Sequence, residues 1–253
     1  MKKICLFAAL FSAAFFFYTG SVGLAFAESV HPREKLSSFT TYFSVKDGGR
    51  CENIALAAER IDGIALQPYG EFSFNAVVGA RTRENGFQQA KIISQGEFVL
   101  GVGGGVCQVS TTLYNAALLS GLVVTEFHPH SLAVAYVAPS RDAMVSSASD
   151  LKLYNPFDET VYFSLKVGEG SLTVTLRGKG VGYDYEIESR RLATVPPPPP
   201  AVTDEEKSAR EGKDGVKSEA YLKTYRNGVL VGVKRIRTDF YAPMRGKIYE
   251  QTK

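Results

Sequence analysis

Five consecutive prolines, Pro196 to Pro200, divide this chain of 253 residues. Proline lacks a backbone N–H and has a fixed φ, so the run cannot enter a helix or the interior of a sheet and favours a stiff polyproline spacer. A charged stretch, residues 204–217, follows. The pattern predicts a linker over residues 194–214, a folded domain over residues 39–180 and a small module over residues 215–253.

Before the prolines, the sequence alternates between helical and strand patterns. Apolar residues at helical spacing predict helices over residues 53–61 and 107–119. Runs rich in β-branched and aromatic residues, separated by turn signals, predict short strands over 39–45, 72–74, 92–93, 97–100, 132–137, 150–154, 160–167 and 171–177. The expected class is α+β, with the second helix packed against antiparallel strands.

After the prolines, two alternating segments, 218–226 and 229–237, flank Asn227-Gly228. Asn-Gly is the preferred turn of a two-residue β-hairpin. The sequence therefore predicts a small C-terminal all-β module. It is too short to be an enzyme, and we expect it to affect placement rather than chemistry.

The first 27 residues have the pattern of a secretory signal peptide. Lys2 and Lys3 precede an apolar run over residues 4–17, and Ala25-Phe26-Ala27 is a small-x-small cleavage site. An uncleaved N-terminal anchor is the alternative. Both predict a protein that works outside the cytoplasmic membrane, secreted or held in the cell envelope.

Charge indicates little about partners. Removal of Lys2 and Lys3 would leave 27 basic residues against 26 acidic ones. No basic cluster with interleaved aromatic residues occurs, so a nucleic-acid partner is not expected. The sequence predicts neither a metal site nor a cofactor.

A glycine-rich segment delivers a cysteine to the start of the second predicted helix. Gly101-Val-Gly-Gly-Gly-Val-Cys107 precedes a stretch without Gly or Pro, which Ser120-Gly121 ends. Unpaired N–H groups and the helix macrodipole stabilise an anion there by about 0.3–2 kcal/mol. This can lower the pKa of a thiol from about 8.5 to about 7, which leaves the thiolate only partly populated. A neighbouring imidazolium would complete its activation.

Two of the chain's three histidines, His128 and His130, follow this helix. Because Pro129 disfavours a helical conformation before it, we expect an extended segment with both imidazoles on one face, together with Tyr136. One would act as a base and the other as an orienting or substrate-contacting group; the sequence does not say which. Gly104 and Gly105 would admit a substrate backbone, and N–H groups of the helix start would form an oxyanion hole.

Two other interpretations of Cys107 remain. A free cysteine is commonly a small buried hydrophobe. Cys107 would alternatively pair with Cys51, since exported proteins form disulfides. A chain of this length can bury an adequate core without such a bridge.

A series of landmarks resembles the VanW family of bacterial envelope proteins in order and spacing. The resemblance spans roughly Phe39 to Arg177 and rests on residues 69–75, 78–81, 86–87, 101–121, 128–131, 136–137, 141–142 and 155–156. The segment after the prolines is similar to the G5-type β module often found behind a VanW domain. The family is named for its occurrence in some glycopeptide (vancomycin) resistance clusters.

The resemblance implies an activity, because some VanW domains are associated with L,D-transpeptidation of peptidoglycan. Cys107, in the GGGVCQ-type motif, would attack the carbonyl between the third and fourth residues of a stem peptide and release the terminal D-amino acid. An amine of a second stem would resolve the thioester into a 3-3 cross-link. His130 or His128 would transfer the protons.

The resemblance also suggests supporting roles. Arg141 would hold a stem carboxylate, and Gln108 would assist the oxyanion hole. Asp142 or Asn155 would orient the histidine. Two alternatives stay open: a cysteine hydrolase that cuts stem peptides, and a non-catalytic wall-binding protein that needs no ionised thiol.

Overall fold

The structure, a computed structural model, describes residues 34–94, 96–180, 182–203 and 209–250. The predicted signal peptide lies outside the described residues. Within them there are three helices: α1 (Gly48–Ile61), α2 (Phe74–Val78) and α3 (Val106–Ser120). No described helix is long and apolar enough to cross a membrane.

The same residues form fourteen strands, joined almost entirely in antiparallel pairs. They are β1 (Lys35–Tyr42), β2 (Ala65–Leu66), β3 (Glu71–Ser73), β4 (Gln89–Ser94), β5 (Glu97–Val102), β6 (Val123–Glu126), β7 (Lys152–Tyr154), β8 (Val161–Gly168), β9 (Ser171–Arg177), β10 (Asp184–Val195), β11 (Ala201–Thr203), β12 (Gly215–Arg226), β13 (Val229–Tyr241) and β14 (Lys247–Tyr249). Only β11 and β14 pair in parallel among the described strands. The predicted mixed class with antiparallel sheets is confirmed.

The main sheet, in the order β1-β9-β8-β2, packs on α3 and α1. Its strands alternate buried and exposed residues, as expected for a sheet with one face on the core. A three-stranded sheet in the order β3-β7-β6 and the hairpin β4-β5 flank this core. The hairpin leads directly into the glycine turn before α3.

Helix α3 is the central element of the core. Of its fifteen residues, only Cys107 and Leu119 are not buried. A helix belongs in the interior when all its sides carry either apolar side chains or polar side chains with hydrogen-bond partners. Its polar residues are bonded there: Ser110 donates to the Ala143 carbonyl at 2.6 Å, and Thr112 hydrogen-bonds Thr41 of β1 at 2.8 Å.

The chain on either side of the proline run shares a sheet. β10 ends at Val195, immediately before Pro196, and pairs along its length with β12, which pairs with β13. β11 lies inside the predicted linker and pairs with β14. The described residues all belong to one compact unit. The domain boundaries inferred from the prolines stay a prediction.

The turn between β12 and β13 has the geometry that Asn-Gly favours. Asn227 and Gly228 have φ of 50° and 76°, and Arg226 pairs with Val229. The predicted hairpin is therefore present, although β13 continues four residues beyond Arg237.

One predicted strand is wrong. Residues 132–137 form no strand; they belong to an irregular segment that ends at Ser140, which has a φ of 60°. The segment crosses from His130 to Asp142 and contacts the C-terminal sheet at single points: the Ala242 amide donates to the Ser131 carbonyl at 2.8 Å. A strand requires a ladder of such bonds. The alternation in sequence is therefore not sufficient to predict a strand here.

Candidate active site

Cys107 is the second residue of α3 and follows a tight glycine turn. Gly105 caps the helix with a φ of 109°, where an added Cβ would lie 3.0 Å from the Arg50 carbonyl oxygen. Only glycine combines that φ with that close approach. The turn therefore fixes where α3 begins, and with it the position of the thiol.

The backbone N–H groups next to the thiol differ in whether they donate a hydrogen bond. Val106 and Gln108 donate to the carbonyls of Gly103 and Gly105, at 3.1 and 2.9 Å. Among the described residues, no backbone acceptor is found for the Cys107 amide. Unpaired N–H groups at helix starts are the kind of donor from which an oxyanion hole is built.

His130 lies beside the thiol. Its imidazole is close enough to the Cys107 sulfur for each group to change the other's pKa. The ring is 6% exposed, while Cys107 is partly exposed. The sulfur also lies 3.4 Å from the Val145 carbonyl oxygen. Cysteine and histidine, 23 positions apart in the sequence, thus form a pair that can exchange a proton.

Asp142 holds the other side of the histidine ring. Its Oδ2 accepts hydrogen bonds from the backbone N–H and from Nδ1 of His130, both at 2.7 Å. Because Nδ1 is bound to the carboxylate, Nε2 remains for the sulfur. Cys107, His130 and Asp142 therefore have the order nucleophile, base and orienting carboxylate.

The three groups change one another's ionisation. Burial raises the pKa of Cys107, but the hydrogen bond and charge of His130 and the charge of Arg81 outweigh it and hold the pKa below its ordinary value. Burial lowers the pKa of His130, but the hydrogen bonds to Asp142 and Cys107 raise it to about 9. At neutral pH this combination favours a thiolate beside an imidazolium.

Asp142 stays ionised although it is 1% exposed. Burial raises its pKa, but the hydrogen bond and charge of His130, the charge of Arg237 and the hydroxyl of Tyr241 together lower it. A buried carboxylate keeps its charge when its oxygens receive several donors. Arg237 and Tyr241 lie on β13, beyond the proline run.

Arg81 is a second cation near the sulfur. It interacts electrostatically with Cys107 and donates to Asn75 Oδ1 at 2.8 Å and to the carbonyls of Gly79 and Ser146 at 3.1 and 3.2 Å. All three acceptors are neutral. Arg81 also interacts electrostatically with the Asp150 carboxylate, but none of these hydrogen-bond acceptors is charged, so Arg81 can still stabilise the thiolate.

Tyr136 reaches the site from the irregular segment. Burial raises its pKa, and the nearby charge of Cys107 raises it further, while the Thr111 side chain has a smaller, lowering effect. Thr111 is one helical turn after Cys107 and lies on the same face of α3. Tyr136 therefore keeps its proton next to the thiol. The sequence placed Tyr136 on the face of the histidines but gave it no role, and it did not single out Arg81, although both belong to the landmark motifs.

His128 is placed elsewhere. Its Nε2 lies 3.0 Å from Glu126 Oε1, and its side chain is 38% exposed. Glu126 also binds Lys152 at 2.8 Å. The expectation that both imidazoles share a face is wrong, because the chain is not a strand after Pro129. Geometry brings His130, and not His128, to Cys107.

Gln108 and Gly104 have structural contacts. The Gln108 side chain is 1% exposed, accepts from Arg50 at 2.5 Å and donates to Thr41 Oγ1 at 3.0 Å. These bonds occupy the amide that was expected to assist an oxyanion hole. A Cβ on Gly104 would lie 2.7 Å from the Lys91 carbonyl oxygen of β4, so this glycine permits backbone packing. Gly104 and Gly105 are buried, and neither presents an open surface to substrate.

Arg141 and Asn155 are not brought to the thiol either. Arg141 Nε donates to Asn115 Oδ1 at 2.9 Å, and its guanidinium lies over Phe39. Asn115 is eight residues beyond Cys107, about 12 Å along the helix. Asn155 is fully buried and donates to the carbonyls of Leu66, Gln67 and Glu159. Their contacts support no role with a stem carboxylate or with the histidine.

The disulfide interpretation is wrong. Cys51 and Cys107 are both free, and the Cys51 sulfur lies 3.6 Å from the Ser44 carbonyl oxygen. Among the described residues, no group of three His, Cys, Asp or Glu side chains is arranged to hold a metal ion.

A family model described as "VanW like protein" matches residues 49–177. This range includes Cys107, His130 and Asp142. The chain belongs to the VanW family. Arg237 and Tyr241 contact Asp142 but lie outside the matched range.

The VanW chain is similar to the uncharacterized protein YoaR of Bacillus subtilis (strain 168). The two are 39% identical over 164 residues, which cover 64% of this chain and 52% of YoaR. The chain thus spans about half the length of the curated relative that it matches. No solved structure matches it significantly.

Proposed function

We propose that this VanW protein is an exported cysteine acyltransferase that cross-links peptidoglycan stem peptides in the manner of an L,D-transpeptidase. The observation that carries the proposal is the arrangement of Cys107, His130 and Asp142, in which the carboxylate binds Nδ1 of the histidine at 2.7 Å. This geometry prepares a thiolate nucleophile and a proton donor in one place. A cell-wall substrate is consistent with membership of the family.

The first half-reaction forms a thioester. The Cys107 sulfur attacks the carbonyl carbon between the third and fourth residues of a donor stem, and the free Cys107 amide receives the developing oxyanion. The C–N bond then breaks as His130 gives its proton to the departing amine of the terminal D-amino acid. The acylated thiol and a neutral imidazole remain.

The second half-reaction restores the enzyme. His130 removes a proton from the side-chain amine of an acceptor stem, and that nitrogen attacks the thioester. The C–S bond breaks, an amide bond forms, and the thiolate and imidazolium pair returns. Water in place of the amine would give hydrolysis with the same residues.

The ionisation of the site favours catalysis over simple wall binding. A binding protein has no need for a cysteine whose pKa is held below its ordinary value by a buried histidine and carboxylate. Perturbed groups of this kind, placed together at one point, are typical of active sites.

The test is mass spectrometry of purified muropeptides incubated with the protein and with Cys107→Ala. We expect 3-3 cross-linked dimers and free D-amino acid with the wild type only. Tripeptide stems without dimers would indicate a hydrolase instead. Unchanged muropeptides with a folded wild-type protein would refute both activities. Cys51→Ser serves as the matched control, because its thiol contacts Ser44 and not the histidine.

A further inference from the structure

The catalytic carboxylate is held by residues from both sides of the proline run. Oδ2 of Asp142 faces His130, whereas Oδ1 receives the Tyr241 hydroxyl and lies 3.4 Å from Arg237 Nη2. Arg237 Nη1 also donates to the Asp142 backbone carbonyl at 2.5 Å. One oxygen therefore serves the histidine, and the other is bound to β13.

Arg237 is itself fixed on several sides. Its Nε donates to Asp239 Oδ2 at 2.6 Å, and its guanidinium lies 4.8 Å from the Phe127 ring centre and 5.9 Å from that of Tyr114. The side chain is 2% exposed. A guanidinium held by aromatic rings and a carboxylate has lost its rotamer freedom before substrate arrives.

Tyr241 is equally buried, at 1% exposure. Its hydroxyl donates to Asp142 and accepts the Ser140 amide at 2.8 Å. Ser140 in turn hydrogen-bonds Ser218 of β12 at 2.8 Å. The irregular segment that leads to Asp142 is thus attached to two C-terminal strands.

We propose that Arg237 and Tyr241 are positioning residues of the active site, so that the chain beyond the prolines completes the Cys107–His130–Asp142 arrangement. They act through Asp142: they fix its orientation and keep it ionised, so that it holds His130 towards the sulfur. The inference rests on the proposed function for its catalytic meaning. The small C-terminal segment, expected from its sequence to lack chemistry, supplies two donors to the catalytic carboxylate.

The charged and titratable groups around Asp142 determine what removal of either donor does. They are His130 from the chain before the irregular segment, Tyr136 from that segment, Arg237, Asp239 and Tyr241 from β13, and Tyr114 from α3. The loss of a hydrogen-bond donor to a buried carboxylate raises the pKa of that carboxyl group, because its charged form is less stabilised. Protonated Asp142 no longer stabilises the imidazolium, and the thiolate is then lost.

The experiment measures the alkylation rate of Cys107 by iodoacetamide against pH in the full-length protein, in a Cys51→Ser background. We compare Tyr241→Phe and Arg237→Gln with wild type. The acid limb of the profile should move upwards by at most about one pH unit, because a lost hydrogen bond to a charged group changes the pKa of Asp142 by about that much and only part of the change reaches the thiol. Arg237→Lys, which keeps the charge, should show a smaller shift than Arg237→Gln.

The matched controls lie on the same sheet. Arg235→Gln removes an exposed arginine of β13 that pairs with Glu219, and Tyr225→Phe removes a hydroxyl of β12 that binds Glu186. Both should leave the profile unchanged. Thermal unfolding identifies variants that are merely destabilised, because those lose stability without a shift of the acid limb.

The outcomes separate this inference from the proposed function. An acid limb that stays at the wild-type position in folded Tyr241→Phe or Arg237→Gln would overturn the positioning role alone. A wild-type thiol that reacts only around pH 8.5 or above would remove the basis of the proposed function as well. If one variant does not fold, the other and Arg237→Lys still decide the question.

Discussion

His130 and Asp142 are joined twice, since the backbone amide and the ring Nδ1 of His130 both donate to the same oxygen, Oδ2, at 2.7 Å. The double contact fixes the position of the residue and the orientation of its ring together. It also leaves the second carboxylate oxygen for β13. The Asp142 carboxylate therefore connects His130, within the range that matches the VanW model, to β13.

Substitution of His130 should abolish most of the activity, whereas substitution of His128 should have little effect. His130→Gln removes the proton donor, and we expect acyl transfer to fall by roughly 10²- to 10⁴-fold. His128→Gln removes only a partly exposed contact with Glu126 and should leave the rate within about fivefold of wild type. Initial rates of release of the terminal D-amino acid measure both. Equal losses in the two folded variants would contradict the assignment.

The pH dependence of turnover should show a fall on the alkaline side. The pKa of His130 is raised to about 9, so the imidazolium is present below that pH and is lost as pH rises through it. The departing amine then has no proton donor. Turnover should therefore decline above about pH 9, while alkylation of the thiolate continues. Turnover that keeps rising well above pH 9 would show that His130 does not act as the acid.

Charge near the sulfur can be tested at Arg81. Arg81→Gln removes a cation that lowers the pKa of Cys107, so alkylation at pH 6 should slow several-fold. Arg83→Gln is the control, because Arg83 is exposed and lies two residues away. The measurement is the iodoacetamide rate at Cys107 in the Cys51→Ser background. A rate unaffected by Arg81→Gln would exclude a role in stabilising the thiolate.

Much of the site is predictable because its constraints are local. A glycine turn, a stretch without helix breakers and a closing Ser120-Gly121 are enough to place Cys107 at the start of a helix, where α3 has it. The choice between His128 and His130 is not local. It depends on the irregular segment 131–140, which contacts the C-terminal sheet and does not form the expected strand.

Arg237 illustrates the limit of sequence reasoning most clearly. Its position in an alternating strand predicts an exposed side chain like that of Arg235, two residues earlier, which is 60% exposed. Its burial follows only from the packing of β13 against Phe127 and Asp142, which are about 100 positions earlier in the chain. Neither propensity nor spacing carries that information.

The glycine turn should be intolerant of side chains. Gly105→Ala places a Cβ at a φ of 109° and 3.0–3.1 Å from Arg50 and Ile54, so it should lower the free energy of unfolding by about 2–5 kcal/mol. Gly63→Ala, at a φ of 81° with no atom within 4 Å of the Cβ, should cost only about 1–2 kcal/mol. Urea denaturation measures both. Equal stability of the two variants would show that the turn relaxes.

The most direct test of the account is intact-protein mass spectrometry after rapid mixing with a tetrapeptide muropeptide. Wild-type protein should gain the mass of the stem cleaved after its third residue, attached as a thioester that hydroxylamine removes, and digestion should place it on Cys107. Cys107→Ala should gain nothing, and Asp142→Asn should accumulate far less because its histidine is no longer held. An adduct on another residue, or muropeptide turnover that persists in Cys107→Ala, would contradict the central claim.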